Sequence, residues 1–181
     1  MSDISIAYGD TTVCENISFD IAQGDRLALQ GKNGSGKSSL LKLICGEDIS
    51  FCGDLAVGAG LKISYVSQDT SNLCGNLTEY ATQHDIDESL FKAILRKLDF
   101  SRIQFDKDMR DFSGGQKKKV LIAKSLCEKS HLLVWDEPLN FIDILSRMQI
   151  ERLVLEYEPT ILFVEHDRLF NDKISTKRIY L

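Results

Sequence analysis

The sequence has no apolar run approaching the length of a membrane span, and Met1-Ser2-Asp3 does not open a signal peptide. Spanning and exported proteins are therefore set aside, and a soluble, cytoplasmic protein is expected. Positive charge is short as well: 22 Lys and Arg face 27 Asp and Glu, a net charge of −5. That balance argues against autonomous DNA or RNA binding by phosphate neutralisation, although a local basic patch can touch RNA inside a larger assembly. The five cysteines (Cys14, Cys45, Cys52, Cys74 and Cys127) are scattered, odd in number and without metal spacing. They read as buried reduced thiols. Internal repeats and low-complexity tracts are also missing. What remains is one domain's worth of chain: 181 residues, 43% hydrophobic and 27% charged, an ordinary globular composition.

One stretch stands out from that background. Gly31-Lys32-Asn33-Gly34-Ser35-Gly36-Lys37-Ser38, followed by Ser39, fits the phosphate-binding pattern in which glycines precede Lys and Ser or Thr. Gly31, Gly34 and Gly36 let the backbone bend until successive N–H groups point at phosphate oxygens. Lys37 brings charge to the β- and γ-phosphates, and the Ser38 hydroxyl is a hard oxygen ligand for Mg²⁺. Arg26–Gln30 reads as a short buried strand and Ser38–Ile44 as a helix, so the loop lies at a helix N-terminus that favours an anion. A Gly-rich turn matching by accident is the bland alternative.

Further candidates follow along the chain. Ile4–Tyr8 and Ile17–Ile21 read as two strands of a small antiparallel layer, with Tyr8 either stacking on a base or closing the layer's rim. Leu55–Gly58 begins another extended piece, and Lys62–Val66 is a strand that delivers Gln68 to the sheet edge where ligands bind. Gln68 can reach Mg²⁺ or the attacking water there, or be only a loop residue. From Thr70 to Asp111 the sequence turns polar and helical, with a capped start at Asp87. Ser113-Gly114-Gly115-Gln116 opens a long helix, either as a second small anion site or simply as a cap. Lys117, Lys118 and Lys119 read as a solvated face or as an RNA contact. The apolar run from Leu132 ends in Asp136 and Glu137, an acid for Mg²⁺ and an acid to polarise water. A helix follows Asp143 to about Glu156. A strand at 160–164 then ends at His166, where a neutral imidazole can contact the γ-phosphate, and extended pieces around Ile174 and Arg178–Leu181 close the chain.

Lys37 and Ser38, Gln68, Ser113 to Gln116, Asp136 and Glu137, and His166, in that order, resemble the ATP-binding cassette domain over nearly the whole chain. The resemblance implies an α/β P-loop NTPase with a mixed central sheet, a small antiparallel β layer and a helical subdomain at about 70–125, a single domain over 1–181. It makes Tyr8 the adenine-stacking aromatic and Gln68 the glutamine that senses Mg²⁺ and the γ-phosphate. Ser113 to Gln116 becomes the signature motif, with Phe112 in place of the usual Leu. Asp136 becomes the Mg²⁺-associated acid, Glu137 the catalytic base, Asp143 the acid of the following loop and His166 the switch histidine. ATP and Mg²⁺ are the implied ligands. Transporter cassettes usually carry Ser-Ala-Leu-Asp after the catalytic Glu. Here Pro138-Leu139-Asn140-Phe141-Ile142-Asp143, with Glu165-His166-Asp167-Arg168, looks like the soluble ABC-F proteins that act on ribosomes. Trp135, the Glu165-His166 pair and the ending at Leu181 look closest to the second cassette of the branch that protects ribosomes from lincosamides, streptogramins A and pleuromutilins. ABC-F proteins carry two cassettes joined by a helical linker, so this chain is expected to be part of a longer tandem protein. Hydrolysis is expected to need a second cassette, in the same longer chain or as a homodimer. The ATPase of a membrane transporter and a cassette that binds ATP without efficient hydrolysis stay open as alternatives.

Overall fold

Short apolar strands and capped helices alternate through the computed structural model, which describes residues 1–181. The strands are β1 (Ser2–Tyr8), β2 (Thr11–Ile17), β3 (Arg26–Gln30), β4 (Phe51–Asp54), β5 (Ile63–Val66), β6 (Leu132–Asp136), β7 (Ile161–Val164) and β8 (Lys177–Tyr180). The helices are α1 (Lys37–Ile44), α2 (Leu77–Gln83), α3 (Glu88–Lys97), α4 (Gly114–Cys127), α5 (Ile144–Tyr157) and α6 (Arg168–Ile174). The central sheet has the order β5-β6-β7-β3-β8, with every neighbouring pair parallel. A second sheet, β2-β1-β4, is antiparallel. The fold is thus the α/β class expected, but the central sheet is wholly parallel rather than mixed. The two kinds of pairing divide between two sheets because helical crossovers separate the core strands, whereas Gly9-Asp10 joins β1 to β2 in a tight turn.

Parallel strands covered on both faces are apolar on both faces, and these are. Leu133 and Trp135 of β6, with Ile161 and Phe163 of β7, enter the larger core beneath α2 to α6. Leu132, Val134, Leu162 and Val164 enter the smaller one beneath α1 and the antiparallel sheet. Each large side chain buried in this way contributes about 1.5–3 kcal/mol before entropy is counted. Because all five strands run the same way, their carboxyl ends share one edge. That edge carries the site.

Four local expectations change. The second strand is Thr11–Ile17, not Ile17–Ile21, because the Gly9-Asp10 turn starts it early and Tyr8 pairs with Thr11. Phe19 and Ile21 pack on the core from a loop instead. The extended piece after α1 is Phe51–Asp54, paired with β1, rather than Leu55–Gly58; its exposed residues hide any alternation. Around Ile174 the chain is helical, because the Asp167 carboxylate accepts the Phe170 N–H at 3.0 Å and Phe170 and Ile174 then bury one face. All five thiols are free, but Cys52 and Cys74 are exposed. Burial pushes the Cys45 and Cys127 thiols up to about 12.

Candidate functional site

The loop from Gly31 to Gly36 joins β3 to α1. Gly34 and Gly36 have φ of 82° and 83°, in the left-handed region that favours glycine. At Gly31 a Cβ would lie 2.7 Å from Ser35 Oγ and 2.8 Å from the Leu181 carbonyl oxygen, so the cradle has no room for a side chain. Lys37 is buried, and its ammonium donates to the Gly31 and Lys32 carbonyls at 3.0 and 2.8 Å. Ser35 Oγ is buried without a hydrogen-bond partner. A cradle of N–H groups, a lysine folded over it and an orphaned hydroxyl together fit an anionic phosphate. Asn33 is exposed on the loop, and Ser38 and Ser39 lie half-buried in the first turn of α1. Exposed Tyr8, at the end of β1, donates its hydroxyl to Ser39 Oγ at 3.1 Å, which puts an aromatic ring beside the phosphate loop.

The neighbouring strand ends bring the other candidates in. Gln68, just past β5, donates from Nε2 to Asp136 Oδ1 at 3.0 Å, leaving its amide oxygen for another partner. Asp136 is almost fully buried at the end of β6. Glu137 follows with φ of 48°, a left-handed conformation that is strained for a glutamate. Asn140 donates to Glu137 Oε2, and His166 Nε2 lies 3.5 Å from Glu137 Oε1. A cavity of ≈190 Å³ beside the phosphate loop is lined by Gly31, Lys37, Glu165, His166 and Arg168. The donor set is one carboxylate, one hydroxyl and one amide oxygen, not a cage of three or more His, Cys, Asp or Glu side chains. That set suits Mg²⁺, which keeps waters and shares its remaining positions with phosphates.

The signature segment is built differently. Ser113 caps α4 by accepting the Gln116 N–H at 3.2 Å, while the Gln116 amide oxygen accepts the Ser113 N–H at 2.9 Å. Phe112 is buried against the Phe100 ring at 5.5 Å, a packing role that suits Phe in place of Leu. Gly114 and Gly115 pack on Phe141, and a Cβ on Gly115 would overlap the Phe141 carbonyl oxygen. None of Ser113 to Gln116 lines the cavity with Lys37 and His166. The structure therefore brings Lys37, Gln68, Asp136, Glu137 and His166 to one edge and leaves Ser113 to Gln116 outside that group.

Three residues gain a place that the sequence did not give them. The expected solvated or RNA-facing lysine run is corrected at two of its three positions: Lys118 is 2% exposed and Lys119 7%, while Lys117 is half-buried. Lys118 donates to the Ser67 carbonyl at 2.7 Å, and Lys119 pairs with Asp143 at 2.6 Å. Burial pushes the Lys118 ammonium down from the usual lysine range, against the opposing charges of Asp136, Glu137 and Glu165. Burial also raises the Asp143 carboxyl, but Lys119 and two hydrogen bonds from Ser146 outweigh it and hold the group well below the usual range. Buried Glu165 accepts the Leu139, His166 and Asp167 N–H groups, tying the loop after β6 to the loop after β7. The helical period was the missed signal: Lys118, Ile122 and Ser125 recur on one buried face of α4.

A family model described as "ABC transporter" matches residues 14–140. "ATP-binding protein Uup" of Caulobacter vibrioides is 31% identical over 96% of this chain and 30% of its own length. "Ribosome protection protein VmlR" of Bacillus subtilis is 29% identical over 100% of this chain and 34% of its own length. The chain thus spans about a third of these curated relatives. Among solved structures, "RNase-L Inhibitor" aligns with a TM-score of 0.83 and 25% identity over 98% of this chain and 36% of that one.

Proposed function

The chain belongs to the ABC transporter family of ATP-binding cassettes, and we propose that it is an ABC-F-type cassette that binds and hydrolyses ATP with Mg²⁺ and acts on the ribosome. The relatives named above fit an ABC-F cassette. Ribosomal protection against antibiotics is the finer reading. It is supported by the relative named for ribosome protection and by the loop Pro138 to Asp143. The observation that carries hydrolysis is the convergence at one sheet edge: Gln68 on Asp136 at 3.0 Å, and His166 at 3.5 Å from Glu137.

In this mechanism the loop N–H groups and the Ser35 hydroxyl hold the phosphates. Lys37 exchanges its two carbonyl partners for phosphate oxygens. Ser38, Gln68 and Asp136 would hold Mg²⁺, which when bound neutralises charge on the phosphate oxygens. Glu137 accepts a proton from the attacking water, and His166 and Asn140 fix the direction of its carboxylate. Tyr8 supplies a ring for the base. Ser113 to Gln116 serve the nucleotide held by a second cassette, in the same longer protein or in another copy, since they lie outside this chain's own phosphate cavity.

Cosedimentation with ribosomes tests the setting. The protein carrying Glu137→Gln should pellet with ribosomes in ATP and stay in the supernatant without it. Protein that stays in the supernatant in ATP would reject the ribosomal reading, and a preference for membranes would favour a transporter ATPase.

A further inference from the structure

Two adjacent lysines of α4 are buried, and they meet different partners. Lys119 forms a direct ion pair with Asp143. Lys118, at 2% exposure, donates one hydrogen bond to a neutral acceptor, the Ser67 carbonyl at 2.7 Å, and has no carboxylate at ion-pair distance. A buried ammonium with three donors and one uncharged acceptor is unfavourable as packing alone; an apolar side chain of similar volume would serve the core better. Its surroundings supply the reason. Ser67 directly precedes Gln68, whose amide contacts Asp136. Asp136, Glu137 and Glu165 all act electrostatically on the Lys118 ammonium. These carboxylates lie at the strand ends beside the phosphate loop, where ATP adds further negative charge.

We propose that Lys118 is a positioning residue that holds the Gln68 segment to α4 and serves as the site's internal countercharge until the metal arrives. It is not a catalytic residue, because its ammonium ends on Ser67 and not in the phosphate cavity. The positive charge offsets the repulsion between the carboxylates and the metal-free nucleotide. Once Mg²⁺ is present, its two charges take over most of that role. The inference rests on the ATP-binding reading and deepens it: Lys37 and the loop hold the phosphates, and Lys118 strengthens that hold before the metal is present.

The test is a cycle of Lys118 variants against metal, read as equilibrium binding of a fluorescent ATP analogue to the full chain, in EDTA and in saturating Mg²⁺. Lys118→Gln keeps an N–H donor for the Ser67 carbonyl and removes the charge. It should weaken binding by at least about tenfold in EDTA but less than about threefold in Mg²⁺, since a screened partial replacement of one charge is of that order. Lys118→Arg keeps the charge and should stay within about threefold of the wild type in both conditions. Equal losses with and without Mg²⁺ would reduce Lys118 to a structural residue, and no loss in EDTA would overturn the proposal outright. Should Lys118→Gln not fold, Lys118→Arg decides: a loss of about tenfold or more in EDTA with less than about threefold in Mg²⁺, despite the retained charge, overturns the countercharge. Wild-type protein that binds no ATP in either condition would instead refute the ATP-binding reading.

Discussion

Glu137 is held on three sides: a left-handed backbone at φ 48°, Asn140 on one carboxylate oxygen and His166 facing the other. Such pinning pre-orients a base and leaves the phosphate loop untouched. Glu137→Gln should therefore keep ATP affinity and cut turnover by at least about a hundredfold, the usual contribution of a general base. An unchanged rate of phosphate release would show that another group takes the proton. The two signature glycines make a second contrast. Gly115→Ala would drive a Cβ into the Phe141 carbonyl and should lower stability by about 1–3 kcal/mol, as other overpacking changes do. Gly114→Ala would meet the Phe141 ring at an ordinary 3.8 Å and should be neutral or stabilising, since Ala favours helix. Paired denaturant melts would separate them; equal effects would contradict the packing. Lys37, Asp136 and Glu137 were legible from the sequence because their spacing is fixed by local chemistry. Lys118 and Lys119 were not, because a run of like charges masks the helical period that buries them.

At the scale of elements, strand ends decide what meets what. β3, β5, β6 and β7 were legible as apolar runs, and once they are parallel their polar termini must share an edge. Elements held by long-range pairing or by a cap were harder to read: β4 has no buried residue, and α6 depends on Asp167. α4 connects these parts, with Lys119 gripping the Asp143 that also caps α5 through the Ser146 N–H at 2.8 Å. Asp143 is about half exposed, so Lys119→Met should cost about 1–2 kcal/mol, below the 3–5 of a fully buried pair. The pH dependence has a definite sign. The folded Asp143 carboxyl lies below its unfolded value, so its contribution is present above about pH 4 and fades as pH falls toward the folded value. The gap between wild type and Lys119→Met, measured by urea melts, should be constant from about pH 7 to 5 and shrink below about pH 4. A gap that widens in acid would mean that Lys119 does not hold Asp143 ionised.

At the scale of the whole molecule, two candidate groups stand apart, and under the reading proposed above each would supply half of a reaction centre. The phosphate loop, Gln68, Asp136, Glu137 and His166 form one group, and the capped Ser113 segment lies outside their cavity. Beside them the loop after β6 and the first turns of α5 expose Phe141, Ile144, Leu145 and Met148, with Leu169 on α6. An apolar run of this kind beside charged groups suits a surface that is covered when the protein works. If a second cassette completes the site, this chain should bind ATP as a monomer, and its turnover per molecule should rise with protein concentration. Leu145→Asp should abolish that rise while leaving ATP affinity unchanged, because Leu145 lies on the exposed face and not in the phosphate cavity. Turnover per molecule that stays constant down to nanomolar concentrations, with only monomer detected by sedimentation, would show that one copy suffices. The Ser113 segment would then be left with structural roles alone, capping α4 and packing on Phe141.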